Sequence, residues 1–129
     1  MGLFDRLFGE ALEPKNRKDL PWISLQHEMQ LKTIKERSKT KPQIIFKHST
    51  RCGISRMVLN QFEQFYNLSQ DQADLYYLDL LSFRETSNAI AKDFKVYHQS
   101  PQLLVIKNGT IVNHASHSNI NDIDLQDFV

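Results

Sequence analysis

Gln43-Ile44-Ile45-Phe46-Lys47-His48 reads as a short apolar strand, Ser49-Thr50-Arg51-Cys52-Gly53 as the turn that leaves it, and the run from Gly53 onward as a helix. Along that helix Ile54, Val58, Phe62 and Phe65 recur every three or four residues, which predicts one buried face. Cys52 therefore falls at a strand-to-helix junction. Downstream, Leu75-Tyr76-Tyr77-Leu78-Asp79-Leu80 predicts a second strand, and Ser82-Phe83-Arg84-Glu85 has the spacing of a capping box. The helix it opens is expected to run to about Phe94 and to bury Ala89, Ile90 and Phe94. Gln102 to Lys107 predicts another strand, Asn108-Gly109 a hairpin turn, and Thr110 to His114 the antiparallel return. Ile120, Ile123, Leu125 and Phe128 suit a last short helix between Asn119 and Val129.

Upstream, Pro21-Trp22-Ile23 is strand-like, and a helix is expected from about Leu25 to Ser38 with Ser24 as its cap, ended by Pro42. The order β-α-β-α-β-α-β-β-α contains two parallel crossovers and then a hairpin. Such a chain is expected to be α/β, with a mixed central sheet flanked by helices on both faces. Leu3, Phe4, Leu7 and Phe8 would line one side of a short helix, but Gly9, Pro14 and Lys15-Asn16-Arg17-Lys18 separate it from the rest. Residues 1–18 are expected to form a flexible or short helical arm, and residues 19–129 the domain.

Composition narrows the chemistry. The 129 residues suffice for one core without staples, and 16 Lys plus Arg against 15 Asp plus Glu leave no strong field toward nucleic acid or an anionic membrane. A single cysteine excludes an internal disulfide and a cysteine-rich metal cage. The five histidines, His27, His48, His98, His114 and His117, make no metal-ligand pattern, so no metal is expected. No signal peptide or apolar run of membrane-spanning length is visible, and a reducing cytoplasm is the expected compartment.

The free thiol is either a small apolar filler or a nucleophile, and spacing alone leaves both open. Its place favours reactivity, because unpaired N–H groups and the positive dipole end of a helix's first turn stabilise an anion there. Arg51 would add positive charge, Ser55 returns to the same side of the first turn and could donate to a thiolate, and Gly53 keeps the approach open. Ser100-Pro101 opens a strand, one of the few settings that tolerates a cis bond. His48 and His98, near the ends of strands expected to flank Cys52, are candidate rim residues.

Several separated segments together resemble the YtxJ-like monothiol bacilliredoxins of the thioredoxin superfamily, over about residues 19–128. They are Trp22-x-x-Leu25, the run Ser49-Thr50-Arg51-Cys52-Gly53-Ile54-Ser55, and Arg84-x-x-Ser87-x-x-Ile90-Ala91-x-x-Phe94-x-Val96-x-His98-x-Ser100-Pro101-Gln102, with Ser116-His117 and Ile120 as a weaker piece. Gly53 departs from the pattern, since bacilliredoxins of this type often carry proline after the cysteine. The resemblance implies a thioredoxin-like three-layer fold, a cis proline at Pro101 facing Cys52, and exchange on disulfides formed with bacillithiol. Bacillithiol would be a cosubstrate rather than a bound cofactor, and bacillithiolated proteins the clients. Since bacillithiol carries malate carboxylates, Lys47, Arg51 and Arg56 are candidates to hold it, although Lys47 is expected to face solvent unless its strand end turns into the groove. Cys52-Gly53-Ile54-Ser55 also resembles the Cys-Gly-Phe-Ser motif of monothiol glutaredoxins, which carry iron–sulfur clusters. Against that reading, His114-Ala115-Ser116-His117-Ser118 lacks their glutathione-holding Gly-Gly-x-Asp. A redox-silent interaction domain on the same fold is the third alternative.

Overall fold

A computed structural model describes residues 20–129. The apolar face expected of Leu3, Phe4, Leu7 and Phe8, and the expected arm that contains it, lie outside the described residues.

The elements are β1 (Trp22–Ser24), α1 (Met29–Arg37), β2 (Gln43–His48), α2 (Gly53–Phe65), β3 (Asp74–Asp79), α3 (Arg84–Asp93), β4 (Gln102–Lys107) and β5 (Thr110–Ser116), followed by 3₁₀ segments at His117–Asp122 and Leu125–Phe128. The strands form one mixed sheet in the order β1-β3-β2-β4-β5. β3 pairs parallel with β1 and β2, while β4 pairs antiparallel with β2 and β5. β2 thus occupies the centre, with all six of its residues buried. Alternation along β2 divides the core. Ile45 packs with Leu31 and Ile34 of α1 and Ile90 of α3 on one face, whereas Ile44 and Phe46 meet Val58, Leu59 and Phe62 of α2 on the other. The expected three layers follow directly from this two-sided burial.

The Asn108-Gly109 hairpin is present, with both residues at positive φ (52° and 78°), as a two-residue turn matched to strand twist requires. The turn is latched to the end of α1, because Asn108 N–H donates to the Ser38 carbonyl at 2.8 Å and Gly109 N–H to the Ser38 hydroxyl at 2.8 Å.

Five local expectations need correction. The first helix begins at Met29 rather than near Leu25, since Leu25 N–H donates to the Tyr77 carbonyl at 2.9 Å and keeps the chain alongside β3. Gln30, not Ser24, organises the start: its Oε1 accepts from the N–H groups of Gln26 (2.8 Å) and His27 (3.0 Å), and its Nε2 donates to the Ser24 carbonyl (2.9 Å). Ser82 does not cap α3. Its hydroxyl donates to Asp79 at 2.9 Å, and the same carboxylate accepts from Leu81 N–H at 3.2 Å, closing a turn at the end of β3. On α2 the buried face is rotated from the expected one. Val58 and Phe62 are buried, but Ile54 and Phe65 are exposed and Ser55, Leu59, Glu63 and Tyr66 take the inner positions. Finally, the carboxy-terminal helix is two 3₁₀ segments separated by extended Ile123, with Ile120 as their buried anchor.

Candidate active site

Cys52 is the residue immediately before the first turn of α2, with extended backbone (φ −106°, ψ 121°), and its side chain is half-buried. Its N–H donates to the Ser49 carbonyl at 3.1 Å and its carbonyl accepts from Arg56 N–H at 3.1 Å, so the residue is held at both ends. A Cβ placed on Gly53 would meet no heavy atom within 4 Å, in keeping with an open approach beside the thiol.

Ser55 does something other than reach for sulfur. It is fully buried, its Oγ lies 2.7 Å from His48 Nδ1, and it accepts from Ser49 N–H at 3.1 Å. The hydroxyl therefore pins the turn between β2 and α2 from beneath. His48, expected at the rim, is buried and packs its ring 5.8 Å from that of Tyr77. Burial and then the Arg56 charge lower the His48 pKa, against smaller opposing effects of Asp79 and Glu63, so the ring is neutral at pH 7. Arg56 is exposed and donates from Nη2 to the Thr50 carbonyl at 2.8 Å, bracing the turn from outside. Arg51 is also exposed.

Lys47 is the largest departure from expectation. None of its surface is exposed, because it shares its side of β2 with Ile45 and points beneath α3. Its Nζ donates to the Ser87 carbonyl at 3.2 Å and lies 3.4 Å from His98 Nδ1. Burial pushes its pKa down to about 8. A direct contact from Lys47 to a small thiol in solution is thus not offered by this arrangement. His98 is exposed, with Ser87 Oγ also 3.4 Å from its Nδ1. Sequence reasoning missed Ser87 in this cluster and His48 as the partner of Ser55. The signal for Lys47 was present: in a central strand covered on both faces, the residue two after Ile45 must point to the same helical layer.

The Ser100–Pro101 peptide bond is cis. Pro101 is buried, Ser100 Oγ is buried without a hydrogen-bond partner, and Gln102 Nε2 donates to the Tyr97 carbonyl at 2.9 Å, tying the ends of the loop together. Gln102 pairs with Lys47 across β4 and β2, so this loop and the strand leading to Cys52 are neighbours in the sheet. Among the described residues no group of three or more His, Cys, Asp or Glu could hold a metal ion, and no helix is long and apolar enough to cross a membrane.

Comparison with known proteins places this geometry. The family model of the monothiol bacilliredoxin BrxC matches residues 23–125. A solved protein described as a candidate oxidoreductase with a thioredoxin fold is 34% identical, over 77% of this chain and 85% of its own, with a TM-score of 0.65. The thioredoxin of Malassezia sympodialis superposes with a TM-score of 0.63 at 18% identity, covering 90% of this chain and 93% of its own. The Schistosoma mansoni thioredoxin pre-protein gives 0.62 at 21% identity, covering 84% and 98% respectively. The latter two likenesses establish the fold, which is the thioredoxin-like α/β arrangement expected.

Proposed function

The chain belongs to the monothiol bacilliredoxin family, thiol oxidoreductases of thioredoxin fold, and from that premise we propose that it removes bacillithiol from mixed disulfides on client proteins through Cys52. The observation that carries this reading is the position of the chain's only cysteine, half-exposed at the start of α2 and braced by a turn that Ser55 holds from within.

The Cys52 thiolate attacks the bacillithiol sulfur of the client–bacillithiol disulfide. The old S–S bond breaks, its electron pair leaves with the client sulfur, and that thiolate takes a proton from solvent. A Cys52–bacillithiol disulfide remains. With no second cysteine in the chain, a second bacillithiol thiolate attacks the bacillithiol sulfur of that disulfide, yielding oxidised bacillithiol and regenerating Cys52. The net change reduces the client sulfur at the expense of one bacillithiol thiol, and the bacillithiol taken from the client leaves joined to it as one disulfide.

Ser55 and Arg56 support this chemistry by holding the turn, while exposed Arg51 is the candidate to meet bacillithiol carboxylates. His98, Ser100 and Pro101, on the loop beside the strand that leads to Cys52, are the candidates to complete the surface on which the small thiol docks. A reducing cytoplasm is the compartment that fits a free thiol working with a small-thiol pool.

The test is release of a client thiol from bacillithiol-modified and glutathione-modified versions of one protein in parallel, with Cys52→Ser beside the wild type. Faster release from the bacillithiol form, abolished in Cys52→Ser, is expected. Equal release by Cys52→Ser would overturn the mechanism. Preference for the glutathione form, together with a coloured cluster on anaerobic reconstitution with iron and sulfide, would favour the glutaredoxin-like carrier instead.

A further inference from the structure

A lysine that is entirely buried normally sits against a carboxylate, because a desolvated ammonium without a counter-charge is costly. Among the described residues Lys47 has none: its Nζ meets the Ser87 carbonyl at 3.2 Å and His98 Nδ1 at 3.4 Å. An ammonium has three donors and no acceptor, so the nitrogen of His98 that faces it must accept. The remaining neighbour of that nitrogen, Ser87 Oγ at 3.4 Å, can donate as well. The imidazole is then neutral, with its one proton on Nε2, the nitrogen turned away from the lysine.

We propose that Lys47 is a positioning residue of the exchange site: its buried ammonium holds His98 in the Nε2–H tautomer, so that His98 presents a fixed N–H donor to the carboxylate-bearing small thiol. The inference deepens the function proposed above and rests on it for the identity of the thiol. Lys47 also joins three parts of the molecule at one point. It belongs to β2, five residues before Cys52, touches α3 at Ser87, and touches the loop leading to Pro101 at His98. The groups acting on His98 agree with this assignment. Burial, then the charges of Lys47 and Arg84, lower its pKa, which keeps the ring neutral at pH 7.

The experiment is nitrogen-15 NMR of the His98 side chain across pH 5–8 in the wild type and Lys47→Met, whose side chain is nearly isosteric and apolar, with exchange kinetics on a bacillithiol-modified client. In the wild type a single Nε2–H tautomer is expected. In Lys47→Met the tautomers mix, the His98 pKa rises, and KM increases about fivefold, the worth of one hydrogen bond, with kcat little changed. His98→Gln, which keeps a side-chain N–H donor, should retain most of the wild-type KM, whereas His98→Leu should not. A wild-type His98 protonated on Nδ1, or a tautomer and pKa unaltered in a folded Lys47→Met, would overturn the proposal. If the NMR changes appear but the wild type does not turn over bacillithiol disulfides, the Lys47–His98 coupling stands and the assignment of the small thiol falls.

Discussion

Replacing Ser55 with alanine removes one oxygen and leaves two polar groups without their partner, the N–H of partly buried Ser49 and Nδ1 of buried His48. A buried group deprived of its partner costs roughly 1–3 kcal/mol, and one of these two can partly recover by a small shift of the turn, so a net loss of about 2 kcal/mol is expected. For a chain of this size that corresponds to about 6–10 °C in Tm, at about 3–5 °C per kcal/mol. The same loss loosens the Ser49–Cys52 bond that fixes the backbone of Cys52, so on the proposed function exchange should slow as well. Urea unfolding followed by circular dichroism measures the first effect, with an unchanged slope showing that the unfolded state is not altered. Arg56→Ala, which removes only an exposed brace, is the control and should cost less than about 0.5 kcal/mol. A Ser55→Ala protein as stable as Arg56→Ala would refute the view that Ser55 is structural to the turn.

Gly53→Pro should stabilise the protein by about 0.4–1 kcal/mol, because Gly53 is the first helical residue of α2, a Cβ there meets nothing within 4 Å, and Cys52 already has the extended backbone that a following proline demands; a lowered midpoint in urea would contradict this. Lys47 gives stability an unusual alkaline dependence. Its pKa falls from 10.5 unfolded to about 8 folded, so between those values the unfolded chain binds more protons and stability rises with pH. The rise should be of order 3 kcal/mol at most, be visible between pH 8 and 10, and be absent in Lys47→Met. Above pH 10 it should reverse, because Tyr66 and Tyr76, pushed up to about 12, then hold protons that the unfolded chain has lost. Unfolding curves at pH 7.5, 9 and 10 that match between the two proteins would contradict the assignment. Asp74→Asn, which breaks contacts to Arg37 (3.0 Å) and Lys41 (3.0 Å) at the far end of the sheet from Cys52, should cost about 1–3 kcal/mol while leaving the exchange rate of the folded protein unchanged; a slowed rate would mean that the two ends of the sheet are coupled.

The architecture was legible wherever a segment is covered on a well-defined face. The run Ile44-Ile45-Phe46 read as an apolar strand and Asn108-Gly109 as a hairpin turn, so a mixed sheet covered on both faces followed, while the order of its strands was supplied by the structure. What stayed hidden depended on competition between nearby polar groups. Ser82 could cap a helix or close an aspartate turn, and the position of Asp79 decided for the turn. Ser24 could likewise have capped α1, but Gln30 reached back to the same backbone. At the site, Cys52 was legible because strand, turn and helix converge on it. The partners of Ser55 and Lys47 were not, since a local pattern does not reveal that a hydroxyl three residues after the cysteine turns inward to His48, or that a lysine crosses under α3 to His98. Ile54 and Phe65 show the same limit: apolar spacing fixes the period of a helix but not which of two adjacent stripes meets the core.

The central claim is tested most directly by intact-mass and peptide-mapping mass spectrometry of the protein mixed with a bacillithiol-modified client and quenched at short times. The account predicts one bacillithiol adduct, located on Cys52, appearing with the freed client thiol and disappearing when reduced bacillithiol is added. Release of the client thiol with no adduct on Cys52 at any time, and equally in Cys52→Ser, would contradict it.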